Sequence, residues 1–191
     1  MELLKERILK EGHCLSGNIL KVDSFVNHQI DPEFTMEMGK EFVRRFADVK
    51  IDKVLTIESS GIAIGMAVAY ELKTHMVFAR KNPSLLMQED MYTCPITSYT
   101  KKEAKLVYVL KKFLQAGENI LIIDDFMADG NAALGLANIV EQAGGKVVGI
   151  GIAIEKSFQQ GAQRVRDAGY RVESLARIAS LENEQIKFVE D

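Results

Sequence analysis

The sequence predicts an α/β fold, a doubly wound and mainly parallel sheet flanked by helices, from two observations. Ile120–Ile123 is an aliphatic run without a polar face, which suits a strand covered on both sides. Apolar runs of this kind alternate along the chain with segments of helical periodicity, as in parallel sheets. With 191 residues, of which 47% are hydrophobic, the chain can bury one substantial core. We therefore expect a single domain over residues 1–191.

The N-terminal segment predicts two helices separated by irregular structure. Apolar residues of 2–11 fall on one side of a helix that ends near Gly12, and this side could contact a partner. Residues 15–30 fit no period, so we expect extended strand and turn there. Pro32 suits the first position of a helix that begins after Asp31, and aromatic residues follow it at helical spacing.

A second strand–loop–helix unit precedes a long excursion. A strand through Val54 and Ile57 stops at the polar loop Glu58–Gly61, which enters a helix at Ile62–Leu72. Residues 82–103 are rich in Thr, Ser and charged residues, which predicts a mobile loop that includes a hairpin. The other predicted elements are a strand at Met76–Ala79, a helix at 131–143 ended by Gly144, a strand at Val147–Ile154, a helix around 161–168, and strands at Arg171–Ile178 and Ile186–Val189.

Composition excludes several classes of function. The net charge of −3 comes from 24 basic and 27 acidic residues without long blocks, which argues against a nucleic-acid partner. No apolar run approaches the roughly 20 residues of a membrane span, so we expect a cytoplasmic protein. Cys14 and Cys94 are isolated and are expected to be reduced thiols. The three histidines form no metal-ligand pattern.

The stretch Asn119–Ala132 offers the strongest candidate site. Asp124 and Asp125 end the strand, where open α/β sheets bind ligands, and a loop through Gly130 leads into a helix. Loop N–H groups beside a helix N-terminus can hold a phosphate, while adjacent carboxylates can accept from a sugar diol or face Mg²⁺. A strand that ends in Asp-Asp and a Gly turn is also common in α/β folds without such a site.

Two other strand ends are expected at the same edge of the sheet. The polar loop Glu58–Gly61 follows one strand, and Arg80 and Lys81 end the next. Because ligands lie outside the carboxyl ends of parallel strands, a phosphate-rich ligand would meet N–H donors, cations and carboxylates together.

Residues 122–132, Ile-Ile-Asp-Asp-Phe-Met-Ala-Asp-Gly-Asn-Ala, resemble the signature of the type I phosphoribosyltransferases, which bind phosphoribosyl pyrophosphate (PRPP). Further segments look like those of bacterial xanthine phosphoribosyltransferases, in order along nearly the whole chain: 20–32, 56–62, 77–81, 154–159 and 170–178. The resemblance implies the type I phosphoribosyltransferase fold, with a small hood contributed by about residues 1–30 and 155–191.

The resemblance also implies a function and a set of site residues. It implies a cytoplasmic, homodimeric purine-salvage enzyme that transfers the 5-phosphoribosyl group from PRPP to N9 of xanthine, with Mg²⁺ carried by PRPP. The implied catalytic residues are Asp124 and Asp125 at the ribose hydroxyls, with Arg80 and Lys81 at the pyrophosphate. The other implied PRPP contacts are Ser59, Ser60, Ala128, Asp129, Gly130, Asn131 and Ala132, and the implied xanthine contacts are Leu20, Asn27 and Lys156.

The loop departs from the resemblance in ways that leave alternatives open. Ala128, Asp129 and Ala132 stand where many relatives carry threonines, so backbone N–H groups must hold the phosphate and Asp129 must turn away from it. The hypoxanthine-guanine relatives use an Asp as general base at the position of Ala128, so a base in this chain would lie elsewhere, with Asp129 as one alternative, or would be solvent. Phe158 suits either stacking on the base or a place in the core. Guanine or hypoxanthine as substrate, and a PRPP-sensing regulator without catalysis, remain alternatives.

Overall fold

The computed structural model describes residues 1–16, 18–81, 90–97 and 104–190. Helix α1 (Glu2–Glu11) leads into a small antiparallel hairpin of β1 (His13–Leu15) and β2 (Ile19–Lys21). A short π-helix spans Asp23–Asn27, and α2 (Pro32–Arg45) follows. The remaining elements are β3 (Lys53–Ile57), α3 (Gly61–Leu72), β4 (His75–Lys81), β5 (Met91–Thr97), β6 (Ala104–Leu110), β7 (Asn119–Met127), α4 (Asn131–Gln142), β8 (Lys146–Lys156), α5 (Gly161–Asp167), β9 (Val172–Ser180) and β10 (Lys187–Phe188).

The large sheet has the order β10-β9-β8-β7-β3-β4-β6-β5. Its central strands, from β9 to β4, are parallel, and β10, β6 and β5 pair antiparallel at the two edges. This confirms the predicted α/β fold with a mainly parallel sheet. The hairpin of β5 and β6 accounts for part of the predicted excursion, whereas residues 82–89 and 98–103 lie outside the described residues.

Both faces of the sheet carry a hydrophobic core, as the unbroken apolar run of β7 predicts. Leu121 and Ile123 pack into one core with α1, α2 and α3, while Ile120 and Ile122 pack into the other with α4 and α5. All four side chains are at most 1% exposed. Since burial of each such side chain contributes about 1.5–3 kcal/mol, β7 is a main source of stability.

The N-terminal predictions are partly confirmed. The Asp31 side chain accepts a hydrogen bond from Phe34 N (3.1 Å) and caps α2, with Pro32 in its first turn. The prediction of a non-helical segment is wrong at Asp23–Asn27, because the carbonyl of Asp23 accepts from the backbone of the two residues that follow the π-helix. Burial of Phe25 in the core stabilises this unusual turn.

The apolar side of α1 packs within its own chain. Leu4 and Ile8 are fully buried in the core, so they are not available for the partner contact that the sequence suggested. Leu3 and Leu9 lie on its exposed surface.

In the described part of the chain, none of the helices has the length and apolar character that crossing a membrane requires.

Candidate active site

A cavity of about 650 Å³ lies at the carboxyl ends of the parallel strands, as the fold predicts. The β1–β2 hairpin, the π-helix and the β5–β6 hairpin contribute to its walls. The predicted site residues that line it are Leu20, Asn27, Ser59, Ser60, Lys81, Asp124, Asp125, Ala128, Asp129, Gly130, Ala132 and Lys156. Arg80 and Asn131 do not line it.

The loop between β7 and α4 is shaped by two glycines. Gly130 has a φ of 79° and immediately precedes α4, and this left-handed conformation favours glycine. Gly161, the first residue of α5, lies against the loop: a Cβ there would come within 2.3 Å of the carbonyl oxygen of Ala128 and 2.6 Å of Gly130 N. The close approach therefore requires glycine at Gly161, a residue that sequence reasoning did not single out.

The side chain of Asp129 is held by the next turn of the chain. Its Oδ1 accepts from Asn131 N (3.0 Å) and its Oδ2 accepts from Asn131 Nδ2 (2.8 Å). Arg164 donates to the carbonyl of Asp129 (2.6 Å) and to the amide oxygen of Asn131 (3.3 Å). Asn131 thus braces the loop from outside the cavity, and the Asp129 carboxylate acts as a local cap.

Asp124 is a buried carboxyl at the end of β7. It is 6% exposed, and burial together with the neighbouring charge of Asp125 raises its pKa well above the ordinary value. The backbone N–H of Asp125 donates to Asp124 Oδ1 at 3.0 Å. Gly61 opens α3 against this carboxyl, because a Cβ there would lie 2.9 Å from Asp124 Oδ1. Asp124 therefore retains its proton to a higher pH than an exposed aspartate would, and it faces the cavity.

The loop after β3 and the end of β4 form another part of the cavity wall. The Glu58–Ser59 peptide bond is cis. Lys81 donates its backbone N–H to Glu58 Oε1 (2.7 Å) and its ammonium to the carbonyl of Glu58 (2.5 Å), which ties the two segments together. Arg80 has a 60% exposed side chain, 3.9 Å from Glu58 Oε2. Neighbouring residues of a strand point to opposite faces, so Lys81 lines the cavity and Arg80 does not.

The hairpin contributes a cation that sequence reasoning missed. Lys105 of β6 lines the cavity together with Ile96 of β5. No motif marks Lys105, because only the pairing of β6 with β4 brings it to this edge.

Lys156, the last residue of β8, also lines the cavity. It is 9% exposed, and burial lowers its pKa. Its ammonium donates to the carbonyl of Asn18 (3.0 Å) and lies 5.9 Å from the centroid of the Phe126 ring. Phe126 lines the cavity, whereas Phe158 packs against a hydrophobic core. The period-two spacing of Asp124 and Phe126 on β7 could have indicated Phe126.

Glu155 precedes Lys156 and anchors the end of β8. It is 1% exposed and accepts from the hydroxyls of Ser157 and Ser174, both at 2.6 Å. Although burial acts to raise its pKa, these hydrogen bonds and the charges of Arg166 and Arg177 together lower it. The network fixes the backbone from which Lys156 projects.

Comparison with known proteins identifies the family. A family model described as "Phosphoribosyl transferase domain" matches residues 31–184. The chain is 54% identical over 190 residues to the xanthine phosphoribosyltransferase of Bacillus cytotoxicus, covering 100% of this chain and 96% of that protein. It is 51% identical over the same shares to the xanthine phosphoribosyltransferase of Bacillus cereus (strain ZK / E33L).

Solved structures show the same fold at lower identity. The adenine phosphoribosyltransferase of Rhodothermus marinus superimposes with a TM-score of 0.76 at 22% identity, over 93% of this chain and 100% of that one. The APRTase of Giardia lamblia complexed with 9-deazaadenine gives a TM-score of 0.78 at 22% identity, over 93% and 98%. Matched by the family model over most of its length and by relatives over all of it, the chain belongs to the phosphoribosyl transferase family.

Proposed function

We propose that this protein transfers the 5-phosphoribosyl group from PRPP to N9 of xanthine, giving xanthosine 5′-monophosphate and pyrophosphate. Identity of 54% to a protein named xanthine phosphoribosyltransferase supports the proposal. The observation that carries it is the cavity itself, which is lined both by the loop between β7 and α4, named here the phosphate end, and by the buried Lys156 beside Phe126, named here the base end.

The two ends of the cavity suit the two parts of the nucleotide product. The β7–α4 loop, Ala128 to Ala132, would hold the 5-phosphate through backbone N–H groups at the start of α4. At the other end, Lys156 would donate to the 6-oxo group of xanthine, Phe126 would stack on the ring and Asn27 would meet the 2-oxo group. A 6-oxo group accepts this donation, whereas the 6-amino group of adenine cannot.

Other residues that line the cavity would act on the ribose and the leaving group. Asp124 and Asp125 would form hydrogen bonds with the ribose hydroxyls. Ser59, Ser60 and Lys81 would hold the pyrophosphate, and the ammonium of Lys81 would stabilise its charge as the bond to C1 opens. Arg80 lies outside the cavity, so we assign the role in charge stabilisation to Lys81.

We propose that Mg²⁺ enters with PRPP. Among the described residues, no group of three or more His, Cys, Asp or Glu side chains is placed to hold an ion. Asp124 and Asp125, the two cavity carboxyls at the end of β7, are the groups that would face the ion. When bound, Mg²⁺ would neutralise charge on the pyrophosphate.

The proton from xanthine would leave to solvent. Ala128 offers no base, and both carboxylate oxygens of Asp129 already accept hydrogen bonds from Asn131. A general base must reach the proton that it abstracts, and Asp129 is committed elsewhere. This geometry supports catalysis by positioning and charge stabilisation.

We further propose a single domain over residues 1–191 whose hood, from about 1–30 and 155–191, covers the base, and a cytoplasmic homodimer. Met66 and Tyr70 of α3 are exposed apolar side chains that a second copy would cover. Sedimentation that shows only monomer at working concentration would contradict the dimer.

An ultraviolet assay tests the proposed reaction. The purified protein is supplied with PRPP and Mg²⁺ and with xanthine, guanine, hypoxanthine or adenine, and each nucleotide formed is identified. We expect xanthine to be converted with the highest kcat/KM and adenine with none. Preferential use of guanine would move the assignment to that base, and the absence of any nucleotide while PRPP still binds would favour a PRPP-sensing protein.

A further inference from the structure

A second cavity, of about 280 Å³, lies apart from the candidate active site. It is bounded by α1, the C-terminal end of α2, α5 and β9, and none of the described residues lines both cavities. Four cationic side chains from these elements line it: Lys5, Arg45, Arg166 and Arg177. We name it the basic pocket.

The basic pocket has more positive than negative charge. Against its four cations stand two carboxylates: Glu173, which lines the pocket, and Glu155, which is buried beside Arg166 and Arg177. In the lining itself, four cations accompany one carboxylate, that of Glu173. Two further carboxylates pair with these cations: Glu2, which is 74% exposed and screened by solvent, lies 3.6 Å from Lys5, and Glu41, which is 18% exposed, lies 2.9 Å from Arg45 and 2.7 Å from Arg44.

The two arginines at Glu155 keep donors for a further partner. Arg166 donates to Glu155 at 3.3 Å, and Arg177 approaches it only to 3.6 Å. The carboxylate accepts instead, at 2.6 Å, from Ser157 and Ser174. Within the described residues, no hydrogen bond from the guanidinium of Arg177 is present, although a guanidinium carries five N–H donors in a planar fork.

These features match one kind of ligand. A phosphate monoester carries about −1.5 to −2 charges at neutral pH, and its oxygens fit the arginine fork. The side chains of Lys5 and Arg45 are only 15% and 20% exposed, so solvent screens them less than surface charges. We propose that the basic pocket binds the phosphate group of an anionic ligand, independently of the transfer reaction at the active site.

Two methionines allow the two cavities to be observed separately. Met1 lines the basic pocket, and Met127 lines the candidate active site. The protein is labelled with ¹³C at its methionine methyl groups, and inorganic phosphate is added at constant ionic strength maintained with sodium chloride. We expect the Met1 methyl resonance to move along a saturating curve, whatever the response of Met127.

Arg177→Gln is the test variant because Arg177 makes only one long ion pair, and its loss should leave the fold intact. We expect phosphate affinity measured at Met1 to fall about tenfold, because the 44% exposed guanidinium of Arg177 would supply charge-assisted hydrogen bonds to the phosphate. The Met127 response should be unchanged. Arg44→Gln is the matched control: it removes the same charge from a 71% exposed position next to Arg45, and it should leave both curves unchanged.

Separate titrations with pyrophosphate and with guanosine monophosphate distinguish the sources of the phosphate group. The proposal is supported if any of the three probes shifts the Met1 methyl resonance along a saturating curve that depends on Arg177. The probe that binds with the highest affinity then identifies the source of the phosphate group. The proposal is overturned if Met1 does not respond to any probe, if chloride alone moves it equally, or if Arg177→Gln and Arg44→Gln affect it alike.

Discussion

The two ends of the candidate active site are built by different means. The phosphate end is a continuous loop whose shape depends on backbone contacts, with Gly161 pressed against Ala128 and Gly130. The base end joins side chains from distant segments, where Lys156 of β8 meets Phe126 of β7 and the carbonyl of Asn18.

Because the two ends are built differently, mutations at them should weaken substrate binding in different ways. A backbone site has no side chain to truncate, so only a steric change can damage it, and the damage is abrupt. A side-chain site loses one hydrogen bond at a time, so its losses are graded. Three predictions test this contrast, from the largest effect to the smallest, and a fourth tests the buried carboxyl of Asp124.

Gly161→Ala should have the largest effect. The new Cβ would lie 2.3 Å from the carbonyl oxygen of Ala128, so the loop or α5 must shift. We expect kcat/KM for PRPP to fall at least about 100-fold, since displacement of a positioning element by about 1 Å can cost that much. Steady-state kinetics with PRPP varied measure it.

Gly117→Ala is the control for Gly161→Ala. Gly117 has a φ of 80°, but no atom lies within 4 Å of a Cβ placed there. Its replacement should cost about 1–2 kcal/mol of stability and leave kcat/KM unchanged. Wild-type kcat/KM in Gly161→Ala would show that the loop does not depend on its contact with α5.

Lys156→Met should weaken the base end alone. Loss of a hydrogen bond from a charged donor costs about 1.5–3 kcal/mol, so KM for xanthine should rise roughly 10- to 100-fold while KM for PRPP stays within about twofold. Lys146→Met, at the exposed start of the same strand, is the matched control. Equal changes in both KM values would refute a role at the base.

Glu155→Gln should produce a smaller effect at the same end. The amide oxygen can still accept from a serine hydroxyl, but the charge that pairs with Arg166 and Arg177 is lost. We expect KM for xanthine to rise about 3- to 10-fold, for roughly 1 kcal/mol, with little change in kcat. Glu182→Gln on an exposed turn is the control, and a fall in kcat without a change in KM would contradict a positioning role.

Asp124→Asn should alter how stability depends on pH. The folded-state pKa of Asp124 is raised above the ordinary 3.8. The contribution of the Asp124 carboxyl to the free energy of unfolding is therefore fully present below pH 3.8 and is lost as pH rises through the raised pKa. Urea unfolding should therefore show the variant gaining on wild type as pH rises above 3.8 and through the raised pKa.

Asp90→Asn, with an 87% exposed side chain, should show no comparable trend. A stability difference between Asp124→Asn and wild type that does not vary with pH would mean that burial does not hold the proton on Asp124.

Features set by local interactions were predictable from the sequence. Asp31 and Pro32 mark the start of α2 through one hydrogen bond and one fixed dihedral angle. The apolar run of β7 indicated burial on both faces, and the polar residues after it indicated the edge where the cavity lies. Periodicity, caps and strand ends depend on neighbours in the chain.

The assignment of individual side chains was decided by tertiary structure. The sequence offers Arg80 and Lys81 side by side, and only the orientation of β4 places Lys81 in the cavity. Likewise, Phe126 reaches the cavity and Phe158 the core. Gly161 shows no motif, because its constraint is a carbonyl 33 residues earlier, that of Ala128.

By itself, then, the sequence determined the α/β layers, the strand that carries Asp124 and the loop that follows it. Tertiary structure alone decided the contact of Asn18 with Lys156, the closure of the loop by Gly161 and the pairing of Glu155 with Arg166. The physical reason is the distance along the chain between the interacting residues. Hydrogen bonds and periodicities within a few residues are encoded where they act, whereas contacts between distant segments exist only after the sheet has fixed their separation.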